Sequence, residues 1–559
     1  MVSDKSNIAA VAEAAVAKYT KSAIEIALEF LKETYPAFCG ESNDRLVKIG
    51  RNIQSLVTMK NEQGDASTLD AGLGLLLEEC RHLLETAMPV PKVRFGKTEL
   101  QMPIVTLGCM RFQQQWGRNI DCMDQVYSDC QENLVQILRD AICKYGINHI
   151  ETAWGYGSSQ LQLGVALKQM MLKGEVKRED LIIQTKVAPK EDTKEFREMV
   201  EECFDRMQVD YLDMFAFHGL NGEWQWDWMF AGEDNCWNVI QEYKAAGKIR
   251  HIGFSTHGPS DFIYKLIATE KFDYVNIHHH FCGSYTASGD GVDKQGNARC
   301  IRLANKLDMG VSIISVLDKG GKIYEPSRKL RSLTLPDIEP FSYGMGWLWN
   351  LPEFDAEKAS AHTVQVGFAR PVDLDQCVVP AYLQGKGELL SRVKTAESRL
   401  RQAQVDALGE DWLQSCYEGI LKSDKSKYLV EHTQTIWMYN CMMAWGMHQF
   451  AKDRYKMLVQ NNAKYDPSLS ADEAIDKIGR PGWGFTPGLP PDPEKDYFVD
   501  DLAGVPEKNR ARVKEAYALV TKWCSPDEPA KNGEEKETPP KEWLPAYDLK
   551  PWKDFPDRP

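Results

Sequence analysis

Four polar residues in this chain each close, or just follow, a short apolar run. Glu151 ends one such run and Tyr156 lies five residues beyond it in a Gly-flanked loop; Lys186 and His218 close the next two. A phenol titrates near ~10 and is a weak proton donor or base at neutral pH unless a nearby ammonium stabilises its anion. Lys186 has the chemistry for that, and Glu151 the chemistry to hold Lys186 charged and in place. His218, donating from a ring nitrogen, would fix the oxygen of a bound carbonyl while Tyr156 protonates it. Each residue has a blander reading. Tyr156 would pack, Glu151 would cap its loop, and His218 would be a satisfied structural histidine. A lysine at the end of an apolar strand is harder to explain without a partner. The conjunction of the four favours a proton-transfer site.

Such a site needs elements that bring distant positions to one rim. From Pro103 onward the chain repeats a short apolar run, a loop and an amphipathic helical stretch. The runs are Pro103–Met110, His149–Ala153, Leu181–Val187, Tyr211–His218, Ile249–Thr256, Tyr274–Phe281, Gly310–Asp318 and Ala361–Gly367. Helical periodicity marks Asn133–Tyr145, Gln160–Leu172, Lys194–Met207, Cys236–Ala246, Ser260–Glu270 and Cys300–Leu307 between them. This rhythm predicts an α/β fold, a closed (β/α)8 barrel of the TIM type, with a doubly wound open sheet as the alternative. No G-x-G-x-x-G follows the first run, which disfavours the open sheet's dinucleotide site. In a closed barrel the carboxyl ends of the strands converge on one face, where chemistry sits.

The flanks read differently. Residues 1–90 predict an N-terminal helical domain, with segments Ile8–Thr34, Asp44–Met59 and Leu69–Met88, ended by Pro89-Val90-Pro91. Arg94–Met102, centred on Gly96-Lys97, predicts a hairpin that opens the barrel region, residues 91–395. A helical C-terminal extension is expected over 396–525, from Gly387–Ala407, Asp411–Leu421, Thr433–Gln460 and Asn509–Trp523. The Pro- and charge-rich stretch 526–559 is expected to be extended or disordered.

Composition removes several function classes. With 67 basic and 81 acidic residues the formal net charge is -14, and no basic stripe offsets it, so nucleic acid and anionic membrane are not expected partners. The longest apolar runs are strand-length, far short of the ~20 residues of a bilayer span. Acidic residues at Asp4, Glu13, Glu25 and Glu29 argue against a secretory or transit leader. Fourteen dispersed cysteines without a C-x-x-C pair fit reduced, buried thiols, so the expected location is cytoplasmic.

The residues and their surroundings resemble the aldo-keto reductases, in which Asp, Tyr, Lys and His occupy these strand ends. The resemblance rests on Ile147–Leu167 (INHIETAWGYGSSQLQLGVAL), Leu181–Pro189, Gly247–Pro259 and Met309–Tyr324 (MGVSIISVLDKGGKIY). It is similar to the branch with a helical carboxyl-terminal extension, which Ala407–Tyr455 resembles, and it covers roughly residues 92–465. Two departures stand out. Glu151 replaces the family's aspartate, so its contact with Lys186 would need a shifted backbone or another rotamer. Some relatives carry an iron–sulfur cysteine cluster after the barrel, for which Cys377, Cys416, Cys441 and Cys524 are too dispersed.

The resemblance implies a nicotinamide cofactor, with Ser255 and Asn276 on its carboxamide. Loops after the last two strands, with Lys319, Gly320 and Gly321 in one and Gly367 and Arg370 in the other, suit a pyrophosphate, since glycines let backbone N–H groups approach and the cations supply charge. Arg370 is the candidate for the adenosine 2′-phosphate, which favours NADP(H). Trp224 and Trp226 either overhang the substrate or pin their loop to the barrel. His278 and His280 share one side of their strand, but no carboxylate or second cysteine completes a metal set in sequence. The expectation is an NADPH-dependent reductase of a small aldehyde or ketone, also able to oxidise the corresponding alcohol. The competing reading is an NADP(H)-binding barrel with little turnover, a redox-sensing or scaffolding subunit, with residues 1–90 available for a protein partner or self-association.

Overall fold

The computed structural model describes residues 88–112, 120–283, 294–316, 326–462, 465–470, 488–525 and 537–546, with single positions between Lys48 and His82 and at Gly289 and Glu473. A hairpin comes first: β1 (Lys92–Arg94) pairs antiparallel with β2 (Gln101–Pro103) around a 3-10 turn at Gly96–Thr98. Then β3 (Val105–Gly108), β4 (His149–Glu151), β5 (Ile182–Val187), β6 (Leu212–Phe217), β7 (Ile249–Ser255), β8 (Tyr274–His278), β9 (Gly310–Ile314) and β10 (Thr363–Gly367) form a closed parallel barrel in chain order. β10 returns to β3 with Val364 opposite Val105. The eight apolar runs all become barrel strands, and the open-sheet alternative falls with the closure.

Helices α1 (Ser128–Leu138), α2 (Ser159–Leu172), α3 (Thr193–Met207), α4 (Trp224–Phe230), α5 (Cys236–Ala245), α6 (Ser260–Ala268) and α7 (Asn297–Lys306) follow successive strands. In α3, Phe196, Met199, Val200, Cys203, Phe204 and Met207 are buried, the spacing of one helical face. Asp192 caps its start by accepting from Lys194 N at 2.8 Å. Gly164 lets α2 approach closely: a Cβ there would lie 2.3 Å from the Arg206 carbonyl oxygen.

Alternation along the strands builds the barrel interior in layers. At the amino-terminal end Ile182, Met214 and Tyr274 pack on Phe95 and Met102, so the hairpin plugs the barrel floor. Gly310 makes room for that plug, because a Cβ there would lie 2.4 Å from the Phe95 ring. Above is a polar layer: Thr106 Oγ1 bonds His149 Nδ1 (2.8 Å) and Thr363 Oγ1 (2.8 Å), and His149 Nε2 meets Gln184 Oε1 (3.1 Å). Burial pushes the His149 imidazole down to about 3, so this layer is neutral. The next inward positions are Glu151 and Lys186.

Between β9 and β10 lie α8 (Arg328–Thr334) and α9 (Pro340–Trp349), and after β10 come α10 (Asp375–Lys386), α11 (Leu389–Leu408), α12 (Glu410–Ser415), α13 (His432–Trp445), α14 (His448–Asn462) and α15 (Glu507–Cys524). The segment expected as one helix over Thr433–Gln460 is two, broken at Gly446, whose left-handed φ of 66° ends α13. The tail also departs from expectation in its described part. In 537–546 the Trp543 side chain is buried beside His448 and Trp523, and Arg328 N donates to Leu544 O at 2.9 Å. One large buried ring outweighs a composition that otherwise favours solvent. The described positions from Lys48 to Met59 and from Gly72 to His82 are helical. The two stretches touch where Gly72 meets Leu56, a Cβ on Gly72 falling 2.3 Å from Leu56 Cδ2.

Candidate active site

Glu151 and Lys186 stand at the carboxyl ends of neighbouring strands, where β4 pairs with β5 and Glu151 lies opposite Gln184. The Lys186 ammonium contacts Glu151 Oε1 directly and donates to Thr152 O at 2.8 Å. The longer glutamate therefore reaches the lysine in the aspartate's place. Both side chains are shut off from solvent, 2 % exposed for Lys186 and 4 % for Glu151, so each charge depends on the other.

The loop carrying Tyr156 continues the strand pairing: Thr152 N donates to Gln184 O and Trp154 N to Lys186 O, both at 2.9 Å. It then turns through Tyr156 N to Ala153 O (3.1 Å) and Gly157, whose φ of 53° suits glycine. Trp154 Nε1 anchors the loop on Glu202 Oε2 at 2.6 Å. Tyr156 is thereby held with its ring under the Lys186 ammonium, 4.7 Å from the ring centroid. His218 extends β6 by donating its backbone N–H to Val187 O (2.8 Å), and its ring meets the Tyr156 ring edge-on at 5.6 Å and 84°. The four residues expected to converge are thus brought together.

A fifth group escaped the sequence reading. Arg111, just past β3, is an exposed cation whose charge acts on the Tyr156 phenol. Burial pushes that phenol above its ordinary range, the Arg111 charge draws it back down, and Cys109 pushes it up. The signal was available: a cation three residues past Gly108, the end of the first barrel strand, stands at the same rim as the other four.

Ser255 and Asn276 lie side by side in the β7–β8 pairing. Ser255 Oγ accepts from Gly219 N at 3.2 Å and keeps its own proton to donate. Asn276 is fully buried, yet neither Oδ1 nor Nδ2 has a hydrogen-bond partner among the described residues. A buried amide with both ends unused is costly unless a ligand offers a matching acceptor and donor, as a carboxamide does. At the end of β10, a Cβ on Gly367 would lie 2.6 Å from Arg111 Cγ, so only glycine leaves that cation in place. Arg370 sits in a fixed turn: its N–H and that of Ala369 both donate to Asp373 Oδ2 at 2.9 Å, and Asn133 Nδ2 donates to Ala369 O at 2.8 Å. Lys319, Gly320 and Gly321 lie outside the described residues. What is described of these residues fits a nicotinamide nucleotide.

The Trp224–Phe230 segment is a short helix rather than a loop, because Gln225 bridges its start, accepting from Asn221 N (2.7 Å) and donating to Gly219 O (3.0 Å). Trp226 is packed by Lys265 Nζ, 3.9 Å from its ring centroid, and by Phe230 at 4.9 Å, while Trp224 folds over Gly222. His278 and His280 lie 4.8 Å apart, and His280 Nδ1 meets Cys282 Sγ at 3.0 Å. Burial pushes His279 down to about 4 and His280 to about 3. Among the described residues no group of three or more His, Cys, Asp and Glu side chains is placed to hold a metal ion. No helix among them is long and apolar enough to cross a membrane.

Parts of this chain are similar to known proteins. Residues 105–333 match the Aldo/keto reductase family. The NAD(P)H-dependent D-xylose reductase of Scheffersomyces stipitis is 27 % identical over 218 residues, 34 % of this chain and 60 % of that protein. An Arabidopsis thaliana protein, aldo-keto reductase family 4 member C11, is 27 % identical over 163 residues, 26 % of this chain and 51 % of its own length. The chain thus spans between half and two thirds of the length of these curated relatives. Among solved structures, an aldo-keto reductase from Bacillus halodurans in its holo form aligns over 55 % of this chain and 96 % of its own, with 16 % identity and a TM-score of 0.41. Residues 105–333, less than half of the chain, are thus similar to the aldo/keto reductase family.

Proposed function

We propose that this protein is an NADP(H)-dependent oxidoreductase that reduces an aldehyde or ketone, and oxidises the corresponding alcohol in reverse. One observation carries the reading: the Tyr156 ring lies beneath the ammonium of a buried Lys186–Glu151 pair and against the His218 ring. The nicotinamide, when bound, supplies a hydride to the carbonyl carbon. Everything else falls to the chain's own groups. His218 orients the carbonyl oxygen by hydrogen bonding. Tyr156, protonated at neutral pH because burial raises it, donates its proton to that oxygen. Lys186 and Arg111 then face the phenolate with positive charge, and Glu151 keeps Lys186 charged and aimed. Asn276 and Ser255 would hold the carboxamide, and Gly367, Arg370 and the loop with Lys319, Gly320 and Gly321 the phosphates.

The test is NADPH consumption by the full-length chain across a panel of aldehydes and ketones, with Tyr156→Phe as control. Turnover that the control lacks supports the reading. Tight NADPH binding with no turnover above the control replaces it with the binding-only barrel.

A further inference from the structure

Tyr156 lies in a turn that local forces leave loose. Gly155 and Gly157 flank it, and glycine gives up more backbone freedom on ordering than any other residue. A Cβ on Gly155 would meet no described atom within 4 Å, so packing does not hold the turn there. Hydrogen bonds at its two ends do. After Tyr156, Ser159 Oγ donates to Cys109 O at 2.6 Å and meets Thr152 Oγ1 at 2.8 Å. Before it, Trp154 is bonded twice: its backbone N–H donates to Lys186 O at 2.9 Å and its indole Nε1–H to Glu202 Oε2 at 2.6 Å. Lys186 is on β5 and Glu202 on α3, the helix that follows β5, so both bonds go to one strand–helix unit. The other Glu202 oxygen pairs with the Arg206 guanidinium one turn further along α3, and the guanidinium carbon lies 5.9 Å from the centroid of the Trp154 ring.

Resting on the oxidoreductase reading above, we infer that Glu202 is a positioning residue for proton transfer: through the Trp154 indole it ties the Tyr156 turn to the strand–helix unit that carries Lys186, fixing the phenol beneath the ammonium. Glu202 touches neither substrate nor nucleotide in this scheme. The backbone bond from Trp154 N sets where the turn leaves the rim but leaves its direction open, because Gly155 rotates freely between Trp154 and Tyr156. The indole bond adds a second fixed point, and two points set a direction as well as a place. Its acceptor is a carboxylate, which makes it stronger than a bond to a neutral oxygen. Arg206 holds the far oxygen of that carboxylate, so the near one stays turned to the indole. Loss of the anchor leaves Lys186, Glu151 and His218 where they are and loosens Tyr156 alone.

The experiment combines steady-state kinetics and NADPH titration on the full-length chain, with the carbonyl of the panel above that turns over fastest. The variants are Glu202→Leu, Glu202→Gln, Trp154→Phe, and Trp154→Phe with Glu202→Leu. The Glu202 side chain is 39 % exposed, so its replacement leaves the core intact. Glu202→Leu and Trp154→Phe are each expected to lower kcat about tenfold, below the ~10²-fold that a misplacement of about 1 Å can cost, with NADPH affinity within about twofold of wild type. Both remove the same hydrogen bond, so the double variant should match the singles rather than multiply their losses. Glu202→Gln keeps an oxygen for the indole and should recover most of the rate. The solvent deuterium isotope effect on kcat should rise in both single variants, because delivery of the Tyr156 proton becomes the slower step; a loss of stability alone leaves it unmoved. A Glu202→Leu rate within about twofold of wild type, losses that multiply in the double variant, NADPH affinity falling as far as kcat, or an unmoved isotope effect each overturn the inference. A wild type that turns over none of the panel overturns the oxidoreductase reading, and this inference with it.

Discussion

Lys186→Met isolates the interaction on which the site's electrostatics rest. The substitution removes the ammonium but leaves Glu151 in place, in a barrel end where the two side chains are only 2 % and 4 % exposed. It also strips Thr152 O of the donor it meets at 2.8 Å. Breaking a buried ion pair from one side costs about 3–5 kcal/mol, most of it from the charge left behind. Removing both charges, as in Glu151→Leu with Lys186→Met, leaves no orphaned ion and should recover most of that loss. The expected order of stability in urea unfolding, followed by tryptophan fluorescence, is wild type, then the double variant within about 1–2 kcal/mol, then the single variant. Activity should not follow that order. Both variants should be impaired in carbonyl reduction by ~10²-fold or more, because neither presents the Lys186 ammonium to the phenol. A single variant within about 1 kcal/mol of wild type, or a double variant less stable than the single, would refute the claim that each charge depends on the other.

Tyr156→Phe should lower kcat by ~10²-fold or more with NADPH affinity nearly unchanged, since the hydroxyl acts on the substrate oxygen; steady-state kinetics and nucleotide titration check this together. Arg370→Ala should weaken NADPH but not NADH, and equal losses for both would remove Arg370 from the 2′-phosphate. Arg111→Met removes a charge that lowers the Tyr156 phenol. In the alcohol-oxidising direction, where Tyr156 accepts the proton, the rate rises with pH through the phenol's titration, so that limb should move to higher pH; an unmoved limb separates Arg111 from the chemistry.

The placement of the candidate site was largely legible in the local pattern. Short apolar runs ending in Glu151, Lys186 and His218, separated by helices such as Thr193–Met207, favoured a closed barrel with those ends on one rim over an open sheet, and the strands do close. Period-two alternation made Lys186 inward because Gln184 is, and a residue's strand face depends only on its neighbours. Legibility ended where an effect depends on contacts between distant segments. The split of Thr433–Gln460 at Gly446 turns on the left-handed φ there and on Trp543 packed beside it, nearly a hundred residues away. Arg111 was signalled by its place three residues past Gly108, but only the pairing of β3 with β4 set its charge against the phenol. Residues 1–90 and the tail were read by composition as separable. Yet Arg331, buried at 0 % exposure, bonds Ser55 at 3.0 Å and Glu339 at 2.7 Å, while the tail pairs Pro545 with Ser327.

The sequence by itself determined which side chains could transfer a proton and that they end neighbouring strands, since residue type and strand face are local properties. Only the tertiary structure decided that Glu151 reaches Lys186 despite its extra methylene, that Asn276 has no partner at either end of its amide among the described residues, and that Arg331 bonds Ser55. Each is a distance between residues far apart in the chain. Such distances follow from how the whole barrel and its additions pack, which no local pattern encodes.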